Sequence, residues 1–237
     1  MSRIGVVYLI PSPLDESSSQ WISTSVVDAI KKCEVFFVEN ERSARRYLKH
    51  IWKEIVIDDY EWHTIHKMEK QVLPVFIQTL QQGKTVGILS EAGCPGVADP
   101  GQILVAAAQQ LNAVVNPLVG PVSIILALMA SGMNGQQFHF VGYLPIDNLE
   151  RVKQIRELET ESQKRNYTQI FIETPYRNNQ LLDTLVKTCK SSTKLCIAVD
   201  LTSPVQSITT KTIAQWQQAK PDIHKHPAIF LLYAGEQ

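Results

Sequence analysis

The residues of this chain that could do chemistry gather in short Gly- and Pro-rich stretches. The richest is LSEAGCPGVADPG, Leu89 to Gly101, which follows an apolar strand and leads into the helical pattern ILVAAAQQL. Glycine lets a backbone approach a ligand closely, and proline fixes the turns that aim its amides. In a doubly wound sheet such a loop lies at the carboxyl end of a strand, where ligands usually bind. A tight strand-to-helix connection with no ligand would use the same residue types.

A second stretch, LVGPVSIILALMASGM, sets Gly-Pro and Ser123 ahead of a helix whose small residues permit close packing. Ser123 is expected to cap that helix while free amides face a cleft. After the first strand the dinucleotide fingerprint GxGxxG is missing, as is the phosphate-binding GxxxxGK[ST]; the strand runs instead into PSPLDESSS. A conventional dinucleotide or ATP site is therefore disfavoured, and the proline-rich turn suits the wall of a site.

In ENERSARRYLKHIWK the cations Arg42, Arg45, Arg46, Lys49 and Lys53 follow helical neighbour spacing, so one face should be basic. That face is either a phosphate-binding surface or a solvated helix side. The histidine pairs 63/66 and 224/226 have no cysteine or carboxylate pattern that closes a site, so no metal is expected. Cys33, Cys94, Cys189 and Cys196 are too scattered for metal spacing and too few for a disulfide scaffold, which fits a reducing, cytoplasmic setting. Cys94 is expected to be a buried, inert thiol rather than a nucleophile.

These stretches must be positioned by regular elements. IGVVYLI, a helix near 20–32, EVFFVEN, the basic helix from Glu41, EIVID, a helix over 66–82 disturbed at Pro74, KTVGIL, a further helix and AVVNP alternate as βαβ units. The first half thus predicts a mostly parallel, doubly wound sheet. A second α/β domain is expected from the helix 123–131 and strands near FHFVGYL, TQIFIET, KLCIAVDL and AIFLLYAG. Asn-Pro and Gly-Pro steps place the boundary near 116–120, giving domains 1–117 and 118–237.

The 237 residues suffice for a sizeable core, and 44% hydrophobic with 19% charged residues is the composition of a folded protein. Lys+Arg and Asp+Glu are both 23, so no whole-molecule field draws the chain to nucleic acid or membrane, and a polyanion would need a local patch. The first ten residues do not read as a signal peptide, and no run approaches a membrane span.

With LSEAGCPGVADPG, LVGPVSIILALMASGM, FHFVGYLP and ETPYR in this order, the sequence resembles the tetrapyrrole methylase superfamily. It is most similar to the branch that methylates a ribose 2′-hydroxyl of small-subunit ribosomal RNA, whose matching motifs are SDAGTPLISDPG, GPxxxxxALxASG, FxGFLP and ESPHR. The resemblance implies an S-adenosylmethionine-dependent enzyme of two α/β domains, with the cofactor in the interdomain cleft, and usually a homodimer. Carried over position by position, it implies cofactor contacts at Pro11, Ser90, Glu91, Ala92, Gly93, Val97, Ala98 and Ser123, and further ones at Ile172, Glu173, Tyr176, Leu201 and Ala228.

Two motifs depart from the branch: ATPIGNL is replaced by IPSPLDE, and AEDTRH by VENERS, which keeps Glu39 and Arg42 but puts Asn40 in place of an acid. A third change puts His226-Pro227 where the branch carries a Gly-Glu pair. Glu39 and Asn40 are the catalytic candidates, as a network assisting hydroxyl deprotonation, against a capping role. Arg42, Arg45 and Arg46 are the candidate RNA phosphate contacts, against plain surface charge. The alternatives are a methyltransferase acting on a small, tetrapyrrole-like acceptor and a cofactor-binding module without catalysis.

Overall fold

The computed structural model describes residues 4–65 and 69–236, and the chain divides into two compact units, Met1–Val122 and Ser123–Gln237. Nearly every strand of the first unit is followed by a helix, as the alternating pattern predicts. The order is β1 (Val6–Ile10), α1 (Thr24–Ile30), β2 (Val35–Val38), α2 (Glu41–Ile51), β3 (Glu61–Thr64), α3 (Glu69–Gln81), β4 (Val86–Leu89), α4 (Gln102–Gln110) and β5 (Val114–Pro117). The strands form one sheet in the order β3-β2-β4-β1-β5, and every pairing is parallel.

Successive side chains of a strand point to opposite faces. In β2, Phe37 therefore joins Val7, Ile88, Phe76, Leu80 and Leu104 in one core, under α3 and α4. Phe36 joins Ile10, Leu89, Val26, Ile30 and Leu48 in the other, under α1 and α2. Helices on both faces bury β2 and β4 completely, which is why these central strands read as apolar runs.

Three local expectations are corrected. The helix expected over 20–32 is a 3-10 turn, Glu16–Trp21, followed by α1, because Ile22 is extended and Ser23 caps α1 by accepting from the Ser25 amide. EIVID forms no strand: Ile55 and Ile57 pack into the α1/α2 core from a loop and a 3-10 turn, and the sheet edge is taken by EWHT. The helix expected over 66–82 is α3, which continues through Pro74; residues 66–68, and with them His66, lie outside the described residues.

The second unit runs α5 (Ser123–Ser131), β6 (Phe138–Tyr143), α6 (Asn148–Arg165), β7 (Thr168–Ile172), α7 (Asn178–Thr188), β8 (Lys194–Val199), β9 (Ser207–Thr212), α8 (Ile213–Gln218) and β10 (Ala228–Tyr233). Its sheet is mixed, in the order β6-β7-β10-β8-β9, with only β6 and β7 parallel. Leu158, Phe171, Leu182, Leu195, Trp216 and Phe230 meet in one core. β9, SITTKT, is a strand that apolar patterning does not reveal. As an edge strand it needs little apolar burial, and its threonines supply β-propensity. Among the described residues no helix is long and apolar enough to cross a membrane.

Candidate functional site

Parallel neighbours β1 and β4 deliver their following loops to the same end of the first sheet, and the two loops are locked together there. Ser12 and Gly93 exchange backbone hydrogen bonds of 2.8 and 3.0 Å, and Ser12 Oγ donates to the Ser90 carbonyl at 2.8 Å. Ser90 Oγ in turn donates to the Ala92 carbonyl, which tightens the turn. Pro11 is buried, and its carbonyl accepts from the Tyr47 hydroxyl of α2 at 2.8 Å.

The loop after β5 closes against this pair. A Cβ at Gly120 would lie 2.1 Å from Pro11 Cβ and 3.2 Å from Cys94 Sγ, so only glycine fits where the backbones cross. Gly93 has φ +72°, and Ala98 adopts φ +63°, a conformation uncommon for a residue with a side chain. Backbone strain of this kind concentrates at functional loops. Pro11, Ser90, Glu91, Ala92 and Gly93 are thus brought together, with Val97 and Ala98 exposed further along the same loop.

Three carboxylates stand beside that loop. Glu39 follows β2, and its Oε2 accepts from the Glu91 amide at 2.9 Å, while Glu91 Oε1 accepts from Ser43 Oγ at 3.1 Å. The third is Asp99, which sequence reasoning did not single out. Partial burial, then the charges of Glu39 and Glu91, push its carboxyl up to about 6. The signal was the ADPG end of the loop, where an acid follows the strained Ala98. The Cys94 thiol is raised by burial and by the Asp99 charge, the opposite of what activates a nucleophile.

Asn40 is the cap of α2: its Oδ1 accepts from the Arg42 amide at 3.0 Å and the Ser43 amide at 3.3 Å. Its side-chain carbonyl is therefore engaged by the helix end, a task asparagine and aspartate share. The three arginines are not equivalent. Arg42 is exposed. Arg45 lies over the Trp62 ring, 5.2 Å from its centroid, and pairs with Glu41. Arg46 pairs with Glu16, both well exposed.

Between α2, the 3-10 turn and the β1 and β4 loops lies a pocket of about 340 Å³. Pro13, Leu14, Ala44 and Tyr47 form its apolar walls; Ser12, Ser90 and Glu91 line it beside the carboxylates; Arg46, Ser19 and His50 stand at its other side.

The second unit gathers its predicted residues at one end of its sheet. β10 is antiparallel to both neighbours, so its first residue, Ala228, pairs with Val199 at the end of β8, and Ile229 with Ile172 at the end of β7. Glu173 is buried and accepts at Oε1 from Arg177 Nε at 3.0 Å, Arg177 Nη2 at 2.6 Å and the Thr174 amide at 2.7 Å. It braces the ETPYR turn, from which Tyr176 projects with 70% of its surface exposed. Leu201 is buried between Asp200 and Thr202, at φ +48° and +70°. Asp200 Oδ2 meets His226 Nδ1 at 2.6 Å, a pairing across 26 positions that no motif announces. Ser123 opens α5 as its first helical residue, not as the cap before it; α5 packs on β9 and β10, and Thr210 Oγ1 donates to the Ser131 carbonyl at its far end.

The family model for tetrapyrrole (corrin/porphyrin) methylases matches residues 7–217. Ribosomal RNA small subunit methyltransferase I of Vibrio cholerae is 27% identical, over 98% of this chain and 80% of its own length. The protein of the same name from Halalkalibacterium halodurans is 29% identical over 77% of this chain and 60% of its own. Among solved structures, the methyltransferase CobJ superposes with a TM-score of 0.65 at 17% identity, covering 97% of this chain and 94% of the other. With the family model matching residues 7–217, and with a glycine- and proline-shaped loop at the carboxyl end of a parallel sheet, this chain belongs to the tetrapyrrole (corrin/porphyrin) methylase family.

Proposed function

We propose that this chain is an S-adenosylmethionine-dependent methyltransferase whose acceptor is small-subunit ribosomal RNA, at a ribose 2′-hydroxyl. The observation that carries the reading is Asp99, a half-buried carboxyl held near 6 by its surroundings, set beside the locked loops of β1 and β4 and next to Glu39 and Glu91. The names of the curated relatives supply the RNA, and the motif resemblance supplies the ribose 2′-hydroxyl.

The residues present fit the cofactor. The Ser90–Gly93 backbone is held rigid by its bonds to Ser12, Ser90 Oγ and Glu39, Gly120 leaves no side chain between Pro11 and Cys94, and the carboxylates suit a cationic ligand. Bound there, S-adenosylmethionine supplies a methyl group already activated on a sulfonium. The chain's own residues then have two tasks. The loops hold the acceptor oxygen in line and away from water, and positioning of this kind supplies most of the rate. Above about pH 6, Asp99 is ionised and takes the hydroxyl proton onto its carboxylate, while Glu39 holds the Glu91 backbone in place.

Pro11, Ser90, Glu91, Ala92, Gly93, Val97 and Ala98 contact the cofactor from the first unit in this reading. Ser123, Ile172, Glu173, Tyr176, Leu201 and Ala228 contact it from the second. Arg42 and Arg46 meet RNA phosphates, and the enzyme works as a cytoplasmic homodimer.

Calorimetric titration with S-adenosylmethionine, followed by radiolabelled methyl transfer onto small ribosomal subunits from a strain lacking this protein, tests the reading. Label in the RNA supports it; binding without label removes the RNA acceptor. The match to the tetrapyrrole (corrin/porphyrin) methylase model favours a second reading, a tetrapyrrole-like acceptor, which transfer to a tetrapyrrole and not to the subunit would establish.

A further inference from the structure

The pocket beside α2 shares Ser90, Glu91 and Ala92 with the loop assigned to the cofactor, whereas its other side, from Ser19 and Arg46 to Tyr47 and His50, has no part in the chemistry above. Its volume, about 340 Å³, sits near the lower end of the roughly 300–1,000 Å³ range of small-molecule sites, which suits one flat heterocycle with its sugar rather than a macrocycle. Its walls are what a planar ring needs: the Tyr47 side chain, held by its hydroxyl on the Pro11 carbonyl, faces the pocket together with Leu14 and Ala44. At its rim His50 Nε2 and Ser19 Oγ lie 3.0 Å apart, a pair that can donate to or accept from the edge of a base. Arg46 stands beside them on the same helix, paired with Glu16 in an exposed ion pair that is cheap to exchange for a phosphate.

We propose that this pocket receives a single nucleoside unstacked from a single-stranded stretch of the acceptor RNA. His50 and Ser19 meet the base edge, and Arg46 meets a flanking phosphate. Enzymes that modify a nucleotide commonly take it out of its stack into such a pocket. Here the occupant's sugar would lie on the Glu91 side, toward the carboxylates, and its base toward the Ser19–His50 rim. This inference rests on the RNA-methylation reading and adds to it the place where the acceptor nucleotide is read.

The test compares the full-length protein with Ser19→Trp, which fills the mouth of the pocket, and His50→Ala, which removes a base-edge contact. Neither residue is among those assigned to the cofactor. Each protein is titrated with S-adenosylmethionine and assayed for methyl transfer to small ribosomal subunits, with kcat and KM determined separately. Cofactor affinity should stay within twofold of wild type in both variants. Transfer by Ser19→Trp should fall by on the order of 100-fold, as expected for a misplaced acceptor. For His50→Ala, kcat/KM should fall about tenfold, the size of one polar contact, and chiefly through KM. Wild-type kcat/KM in His50→Ala, whether or not Ser19→Trp folds, overturns the pocket assignment while leaving RNA methylation standing. A wild-type protein that binds cofactor but labels no subunit overturns the RNA-methylation reading, and the pocket assignment falls with it.

Discussion

Gly120 lies so close to Pro11 that a methyl group on its α-carbon would overlap Pro11 Cβ at 2.1 Å. The loop that leaves β5 is thereby pressed onto the loop that leaves β1, and Pro11 is also held from the other side by Tyr47. Gly120→Ala should force the two loops apart, at a cost of about 1–3 kcal/mol, the usual range for overpacking. Thermal denaturation should show the lowered midpoint, and calorimetry should show that S-adenosylmethionine affinity falls with it.

Asp99 ties rate and stability to pH in opposite directions. Its folded-state pKa, about 6, lies above the 3.8 of an unperturbed aspartate, so the folded chain binds this proton more tightly than the unfolded chain does. The group therefore favours folding at low pH, and that contribution is lost as pH rises through about 6. Asp99→Asn should melt higher than wild type at pH 8, with the difference shrinking toward pH 5. Methyl transfer by wild type should rise through about pH 6 and level off, and Asp99→Asn should lose both the rise and most of the rate.

Asn40 separates capping from catalysis. Asn40→Ala removes the acceptor for the Arg42 and Ser43 amides and should destabilise the protein by about 1 kcal/mol. Asn40→Asp keeps that acceptor and should match wild type in both melting temperature and transfer rate. A rate loss in Asn40→Asp without a change in stability would return Asn40 to the reacting centre.

The arginines of α2 should divide by their partners. Arg42→Ala should weaken RNA binding and lower the slope of log K against log salt by about 1. Arg45→Ala should instead cost about 0.5–1 kcal/mol of stability, from the lost stacking on Trp62, with the salt slope nearly unchanged. Filter binding across a salt series, beside chemical denaturation, distinguishes the two.

The parts legible in the sequence are those where burial or backbone geometry leaves a strong residue signature. β2 and β4 are buried on both faces and, with the partly buried β1, read as apolar runs, and the loop 89–101 announces itself by glycine and proline. The parts that escaped have weak signatures for physical reasons. β3 and β9 lie at sheet edges and carry polar residues, so EWHT and SITTKT do not stand out, while EIVID does although it forms no strand. Asp99 was hidden because its character comes from burial in the folded loop and then from the charges of Glu39 and Glu91, and Glu39 is 60 positions away in the chain. Arg42, Arg45, Arg46 and Lys49 do lie on α2, whereas Lys53 falls beyond its end at Ile51, and spacing cannot tell that Arg45 turns onto Trp62.

The placing of β10 has a consequence in time. It is the last strand of its sheet to be synthesised, yet it pairs with both β7 and β8, at the centre of the order β6-β7-β10-β8-β9. All the strands of the first sheet precede Val122, so the first unit can close on the ribosome while the second is still being made. A nascent second unit, by contrast, holds β7 and β8 with a vacant slot between them, two unpaired strand edges of the kind that invite wrong partners. Translation of the final strand is thus the step that seals the sheet, and a pause just before Ala228 would prolong the chain's most aggregation-exposed moment.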